Sequence, residues 1–258
     1  MAGVREIAAE LIAAQRDRAP LPEPFTARGD LENAQTAYDV QDAVVADRTH
    51  GGARVIGAKL GLTSAAKQRQ MDVDEPLYGW LTSDMLIRSG EAADLDALIH
   101  PRAEPEIGFL LGEQLSGTPT VASVLAVTES VFSAIEIVDS RYDDVRLRHL
   151  DVIADNASSA GVVIGSRPRP PGDSGDLRLC GCVLRVDGRV AATAAGAAVL
   201  GHPATSVAWL ISALHRRGRT LPAGSLVLSG ALTDAVALTA GTTVTAEFDG
   251  LGTATVHA

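Results

Sequence analysis

Glu104-Pro105-Glu106 opens an apolar run, Ile107 to Leu111, whose residues favour a strand. Residues two apart on a strand face the same way, so both carboxylates project together. On a helix they would diverge by about 200°. A third acid, Glu136, is embedded in Ser133-Ala134-Ile135-Glu136-Ile137-Val138. A charge among such neighbours is costly unless it is paired or bound to a metal. Three carboxylates brought to one pocket repel one another, and a hard divalent cation such as Mg²⁺ or Mn²⁺ relieves that with oxygen ligands. Rim carboxylates paired with Arg102, Arg141 or Arg148 fit the same spacing, so spacing leaves both readings open.

Lys59 lies between Ala58 and Leu60 in a second apolar run, just before the turn Gly61-Leu62-Thr63-Ser64. A lysine beside backbone amides suits a substrate carboxylate. A surface lysine with its stem laid along apolar neighbours is the alternative. Asp155-Asn156-Ala157-Ser158-Ser159 is a polar cluster between apolar stretches and reads as a turn. Cys180-Gly181-Cys182 has the wrong spacing for a zinc knuckle or a redox pair, and reads as two core thiols. The six histidines have no metal-ligand spacing, and no G-x-S-x-G elbow, phosphate-binding loop or H-E-x-x-H occurs.

The elements that must position these groups alternate. Val4, Ile7, Ala8, Leu11 and Ile12 form a helical stripe that ends before Pro20, and Leu31 to Asp47 reads as a second helix stopped by Gly51-Gly52. Strand patterns follow at Val55–Gly61, Pro76–Leu81, Ala103–Leu111 and Ala134–Asp139, with helices at Ser64–Met71 and Val121–Phe132. The second half is richer in strands: Gly161–Ile164, Gly181–Val186, Val190–Ala195, Leu226–Ser229, Val236–Leu238, Thr242–Phe248 and Thr253–His257. A helix at Pro203–Arg216 interrupts them, and Asp187-Gly188 marks a hairpin turn. The expected class is α+β: a small helical N-terminal region, residues 1–52, and a larger, mainly antiparallel β domain, residues 53–258, joined as one compact unit because no long linker separates them.

At 258 residues the chain can bury a sizeable core, and 46% hydrophobic residues argue against disorder. The 22 basic against 32 acidic residues give a formal net charge of −10, which argues against a nucleic-acid or anionic-membrane binder. No apolar run approaches the length of a membrane span, and Arg5, Glu6 and Glu10 interrupt the N-terminal helix where a signal peptide would be apolar. A reducing cytoplasmic setting is expected from only two cysteines.

Several blocks together resemble the 2-keto-4-pentenoate hydratase / 4-oxalocrotonate decarboxylase family. They are Gly57-Ala58-Lys59-Leu60-Gly61-Leu62-Thr63-Ser64, His100-Pro101-Arg102-Ala103-Glu104-Pro105-Glu106-Ile107-Gly108-Phe109, Ile135-Glu136-Ile137-Val138-Asp139-Ser140-Arg141 and Ala154-Asp155-Asn156-Ala157-Ser158-Ser159. Gly201-His202-Pro203 and Leu228-Ser229-Gly230-Ala231 extend the likeness. The resemblance runs in order over nearly the whole chain. It implies a β-roll of the fumarylacetoacetate hydrolase-like kind, with Glu104, Glu106 and Glu136 as ligands of Mg²⁺ or Mn²⁺. It further implies that Lys59 holds the 2-oxo acid end of the substrate, with amides near Leu62 and the side chain of Ser159 completing the pocket.

Two activities share this family. The hydratases resembled carry an Asp where this chain has Leu77, in Asp74-Glu75-Pro76-Leu77-Tyr78-Gly79, and leucine cannot move a proton. Val152-Ile153-Ala154-Asp155-Asn156 and Lys67-Gln68-Arg69-Gln70-Met71 are more similar to the decarboxylase forms, and the cations of the latter would help admit a dicarboxylate. The implied reaction is metal-dependent decarboxylation of 2-oxohex-3-enedioate to 2-hydroxypenta-2,4-dienoate and CO₂ in aromatic meta-cleavage degradation. Leu77 would serve as an apolar wall that favours loss of a poorly solvated carboxylate. Two alternatives remain: a hydratase of 2-hydroxypenta-2,4-dienoate, with Glu75 the nearest replacement acid, or a partner subunit of such a hydratase. A homo-oligomer, a 2-oxo dicarboxylate substrate and an associated hydratase are the expected partners.

Overall fold

The computed structural model describes residues 2–143 and 147–258. Two helices come first. The first, α1 (Val4–Asp17), buries Ile7, Ala8, Leu11 and Ala14 on the stripe the sequence predicts. The second, α2 (Ala34–His50), starts later than the expected Leu31 because Asn33 caps it, its side chain accepting the Thr36 N–H. Neither helix stands apart from the strands. Ile7, Leu11, Val40 and Val44 share one apolar cluster with Leu60, Tyr78, Ile107 and Ile135.

The strands are β1 (Val55–Gly61), β2 (Leu77–Thr82), β3 (Leu86–Arg88), β4 (Arg102–Leu111), β5 (Thr128–Val138), β6 (Ser159–Ile164), β7 (Gly181–Val186), β8 (Arg189–Ala195), β9 (Leu226–Ala231), β10 (Val236–Ala237), β11 (Thr243–Phe248) and β12 (Gly252–His257). Eight of them form a sheet in the order β2-β1-β9-β4-β5-β6-β3, with β10 beside β4, and four form a second sheet, β12-β11-β7-β8. Among the strand pairs of the described residues, only β1–β9 and β3–β6 are parallel, so the sheets are mixed and mainly antiparallel, as expected. The second sheet lies against β5 through β11 and β12. Its β7–β8 hairpin turns at Asp187 and Gly188, both at positive φ, the geometry an Asp-Gly turn supplies.

The remaining helices are α3 (Ala65–Met71), α4 (Val121–Val127), α5 (His149–Ala154) and α6 (Pro203–Arg216). The expected helix over Val121–Phe132 is cut short. After Val127 the chain becomes β5, whose Thr128 already pairs with Leu111 while its hydroxyl donates to the Val124 carbonyl. Burial of β-branched and aromatic residues against β4 overrides the local helical periodicity. The short α5 has no counterpart among the expected elements; Asp151 caps it, accepting the Arg148 N–H. Gly196–Arg216 is long and apolar enough for a membrane span by composition, but 56% of its most apolar window is buried inside the molecule. Within it, α6 packs Val207, Leu210, Ile211 and Leu214 into the core.

Candidate metal centre and substrate pocket

The carboxylate cluster is a consequence of register. In the β4–β5 ladder Glu104 stands directly opposite Glu136, and Glu106 lies two residues along β4 on the same face. One oxygen from each of Glu104, Glu106 and Glu136 lies within 4.8 Å of the others. Pro105 between them has no N–H to give. It sits where β4 exchanges β10 for β9 as its neighbour, and its carbonyl accepts the Leu232 N–H at 3.0 Å.

Glu106 and Glu136 are fully buried. Glu106 Oε2 accepts the Gly230 N–H at 2.6 Å, while Glu106 Oε1 and Glu136 Oε1 have no hydrogen-bond donor among the described residues. Burial, then the charge of Glu136, pushes the Glu106 carboxyl well above the ordinary carboxylate range, with Lys59 opposing. Burial also raises Glu136, and Lys59 again opposes. Unpaired buried carboxylate oxygens converging from three acids are a donor set that fits a hard divalent cation.

Lys59 is no surface lysine. It is 3% exposed, and its Nζ lies 2.9 Å from Glu136 Oε2 and donates to the Ala157 carbonyl at 3.0 Å. Burial alone would lower its pKa, but Glu136, Glu104 and Glu106 outweigh burial and hold the ammonium above its ordinary value. The Ala157 carbonyl comes from a segment the sequence suggests only as a polar turn. Asn156, Ala157 and Ser158 are all left-handed, with φ of 50°, 53° and 56°. Each such residue carries strain and persists only where its surroundings enforce it. Here the Asn156 amide clamps β2: its Oδ1 accepts the Trp80 N–H at 2.7 Å and its Nδ2 donates to the Trp80 carbonyl at 2.9 Å. Gly79 is required beneath it, since a Cβ there would lie 2.4 Å from the Asn156 carbonyl oxygen. The buried Arg141–Asp155 pair secures the start of the segment, and Arg141 also donates to the Asp139 carbonyl at 2.7 Å. Ser159, which follows, is buried beside Met85, with its hydroxyl 3.9 Å from the sulfur.

Leu62 is left-handed as well (φ 55°), at the turn that follows Lys59. It lines a cavity of about 1110 Å³ together with Gln70, Met71, Asp72, Leu147, Arg148, His149 and Val152. The next residue, Thr63, packs on Gly230, whose N–H reaches Glu106. Leu77 pairs with Gly61 across β1–β2 while Lys59 pairs with Gly79, so Leu77 and Lys59 share a face. Leu77 is buried and covers Gly61, where an added Cβ would lie 2.8 Å from its Cδ1. Glu75, the replacement acid of the hydratase alternative, is exposed.

Two of the three arginines named as partners of the trio are committed elsewhere, Arg141 to Asp155 and Arg102 to the Ala235 carbonyl, while Arg148 lines the cavity beside Leu62. The cation that does reach Glu104 is Lys67, at 3.2 Å. The sequence carries a signal for this pairing. Of 22 basic residues only Lys59 and Lys67 are lysines, and both end on the acidic trio.

Residues 54–257 match the model of the fumarylacetoacetate (FAA) hydrolase C-terminal family. The chain belongs to the fumarylacetoacetate hydrolase family. A 4-oxalocrotonate decarboxylase of Pseudomonas sp is 43% identical over 223 residues, covering 86% of each chain. A 2-keto-4-pentenoate hydratase of Burkholderia vietnamiensis is also 43% identical, over 221 residues, 85% of this chain and 84% of that one. Among solved structures, 4-oxalocrotonate decarboxylase from Pseudomonas putida G7, complexed with magnesium and adipate, superposes with a TM-score of 0.94 at 35% identity, over 98% of this chain and 96% of that one. Within the family the chain is thus a member of the decarboxylase–hydratase group, whose named enzymes are lyases.

Proposed function

We propose that this enzyme decarboxylates 2-oxohex-3-enedioate to 2-hydroxypenta-2,4-dienoate and CO₂. The observation that carries this choice over hydration is Leu77. It occupies the face shared with Lys59, while Glu75, the replacement acid of the hydratase alternative, is exposed. Glu104, Glu106 and Glu136 would hold Mg²⁺ or Mn²⁺, whose Lewis acidity toward the C2 carbonyl turns that end of the substrate into an electron sink. Lys59 binds the 2-oxo acid end. Two of its three N–H donors face Glu136 and Ala157, which leaves one for substrate. Leu62 borders the cavity at the turn, and Ser159 would serve from its buried place beside Met85. The Leu77 side chain keeps water from the outer carboxylate. The C5–C6 bonding pair then forms the C4–C5 double bond, the former C3–C4 double bond moves to C2–C3, and the C2 oxygen takes a proton.

A hydratase reading draws on the equally similar hydratase relative. It requires a proton-handling group in place of Leu77, and the acids beside Lys59 are the three that would hold the cation. Association with a hydratase, which would receive the dienol product, is compatible with this reading. The test is a spectrophotometric assay with Mg²⁺ or Mn²⁺ in which 2-oxohex-3-enedioate and 2-hydroxypenta-2,4-dienoate are offered separately. CO₂ release from the first with the second untouched is expected; consumption of only the second would replace this reading with hydration.

A further inference from the structure

We infer that Lys67 is the residue that selects a dicarboxylate: it is held on Glu104 until the cation takes that carboxylate over, and is then available to the outer carboxylate of the substrate. This deepens the decarboxylase reading and rests on it.

Charge accounts for the exchange. Without a cation, the three formal negative charges of Glu104, Glu106 and Glu136 face two lysines, Lys59 and Lys67. A divalent cation together with Lys59 balances the trio, and Lys67 is then the surplus charge. Lys67 is also the group free to leave. Lys59 is buried and fixed on Ala157, whereas the Lys67 side chain is 31% exposed, on a helix with no buried residue. Few contacts other than the ion pair tie α3 down, Gln68 Nε2 donating to the Leu62 carbonyl at 2.8 Å being one of them.

Helical spacing sets the direction of release. Gln70 and Met71 lie three and four residues beyond Lys67, on the same helix face, and both line the 1110 Å³ cavity that Leu62 borders. A lysine is suited to this exchange, since its ammonium is a point charge on a flexible stem. The composition agrees. A chain that uses arginine for every other basic side chain keeps lysine only at the two positions on the acidic trio.

The experiment uses the whole enzyme with two probes, 2-oxoadipate (a dicarboxylate without the conjugated double bond) and 2-oxopentanoate (a monocarboxylate). Reductive ¹³C-methylation labels the accessible Lys67, and Mg²⁺ alone is expected to shift its methyl resonance; Glu104→Gln should show the shifted position without metal. In the presence of Mg²⁺, Lys67→Met should weaken 2-oxoadipate binding by about tenfold or more, as expected for loss of a hydrogen bond between charged groups. Its affinity for 2-oxopentanoate should not change. Equal losses for both probes, no loss for either, or a resonance that Mg²⁺ leaves in place while calorimetry shows it bound would overturn the proposal. Loss of 2-oxoadipate binding in Arg148→Met instead would move the role to the opposite wall of the cavity and overturn it too. Failure of Mg²⁺ or of 2-oxopentanoate to bind the wild type would instead sink the reading on which it rests.

Discussion

Glu106→Gln separates the two roles of the buried acids, as a strain on the metal-free fold and as a cation site. The replacement is isosteric, and its amide oxygen can still accept the Gly230 N–H that Glu106 holds at 2.6 Å. What it removes is one of three converging negative charges and the unpartnered Oε1. Burial and Glu136 hold the Glu106 carboxyl well above its ordinary range. A group raised in the folded state contributes stability that is complete below its unfolded value and is lost as pH rises through its folded value. Metal-free wild type should therefore lose stability as pH climbs above the ordinary carboxylate range. Glu106→Gln should flatten that decline and melt higher at neutral pH. With Mg²⁺ at about a hundredfold its dissociation constant the order reverses. Wild type gains about 2.7 kcal/mol by mass action, or about 5–11 °C for a chain of this size, and the variant loses most of that gain. Scanning calorimetry at several pH values, with Mg²⁺ and with chelator, reads both effects. A variant that melts below wild type in chelator, or gains as much from Mg²⁺, would refute the reasoning.

Three further substitutions probe the pocket around the trio. Leu77→Asp places a buried acid on the Lys59 face and should weaken decarboxylation of 2-oxohex-3-enedioate; an unchanged kcat/KM would show that Leu77 does not discriminate between the two reactions. Lys59→Met leaves Glu136 without its cation and should cost about 3–5 kcal/mol in chelator, the range for breaking a buried pair, read from urea midpoints; added Mg²⁺ should restore part of it. Asn156→Ala leaves the Trp80 N–H and carbonyl without partners, at about 1–3 kcal/mol each. Its kcat should fall while calorimetric Mg²⁺ affinity stays at the wild-type level, because the three acids stand on β4 and β5; a matching loss of Mg²⁺ affinity would count against a role exercised through Lys59.

What could be read from sequence followed the range of the signal. The spacing in Glu104-Pro105-Glu106 and the charge of Glu136 within an apolar run are local, and the β4–β5 register brings them together. Lys59 was legible as a candidate, but only the fold decides between the pocket and the surface. The sequence pattern carries α4 too far, because Val131 and Phe132 continue a helical stripe that pairing with β4 overrides. The Lys67–Glu104 contact spans 37 residues and has no local pattern at all. Only the scarcity of lysine hints at it. Likewise, Asp155-Asn156-Ala157-Ser158-Ser159 announces a turn, yet nothing local tells that three successive residues are left-handed or that Asn156 bonds β2.

That strained segment has a reason in the geometry of Lys59. An ammonium in a buried site needs its donors satisfied on more than one side, and the sheet offers it only Glu136. The second acceptor is the Ala157 carbonyl, presented from above the sheet by the left-handed run. Holding three residues there costs about 1–2 kcal/mol apiece. The two Asn156 bonds to Trp80 and the buried Arg141–Asp155 pair act against that cost, and the missing side chain at Gly79 lets the loop approach. An ordinary turn of the same length would relieve the strain but withdraw the carbonyl, leaving Lys59 to lean wholly on Glu136. Under the proposed function, the carboxylate that would hold the cation would then be tied up by the lysine that would hold the substrate. On that reading the left-handed run shares the Lys59 ammonium between Ala157 and Glu136, which stands 2.9 Å from it.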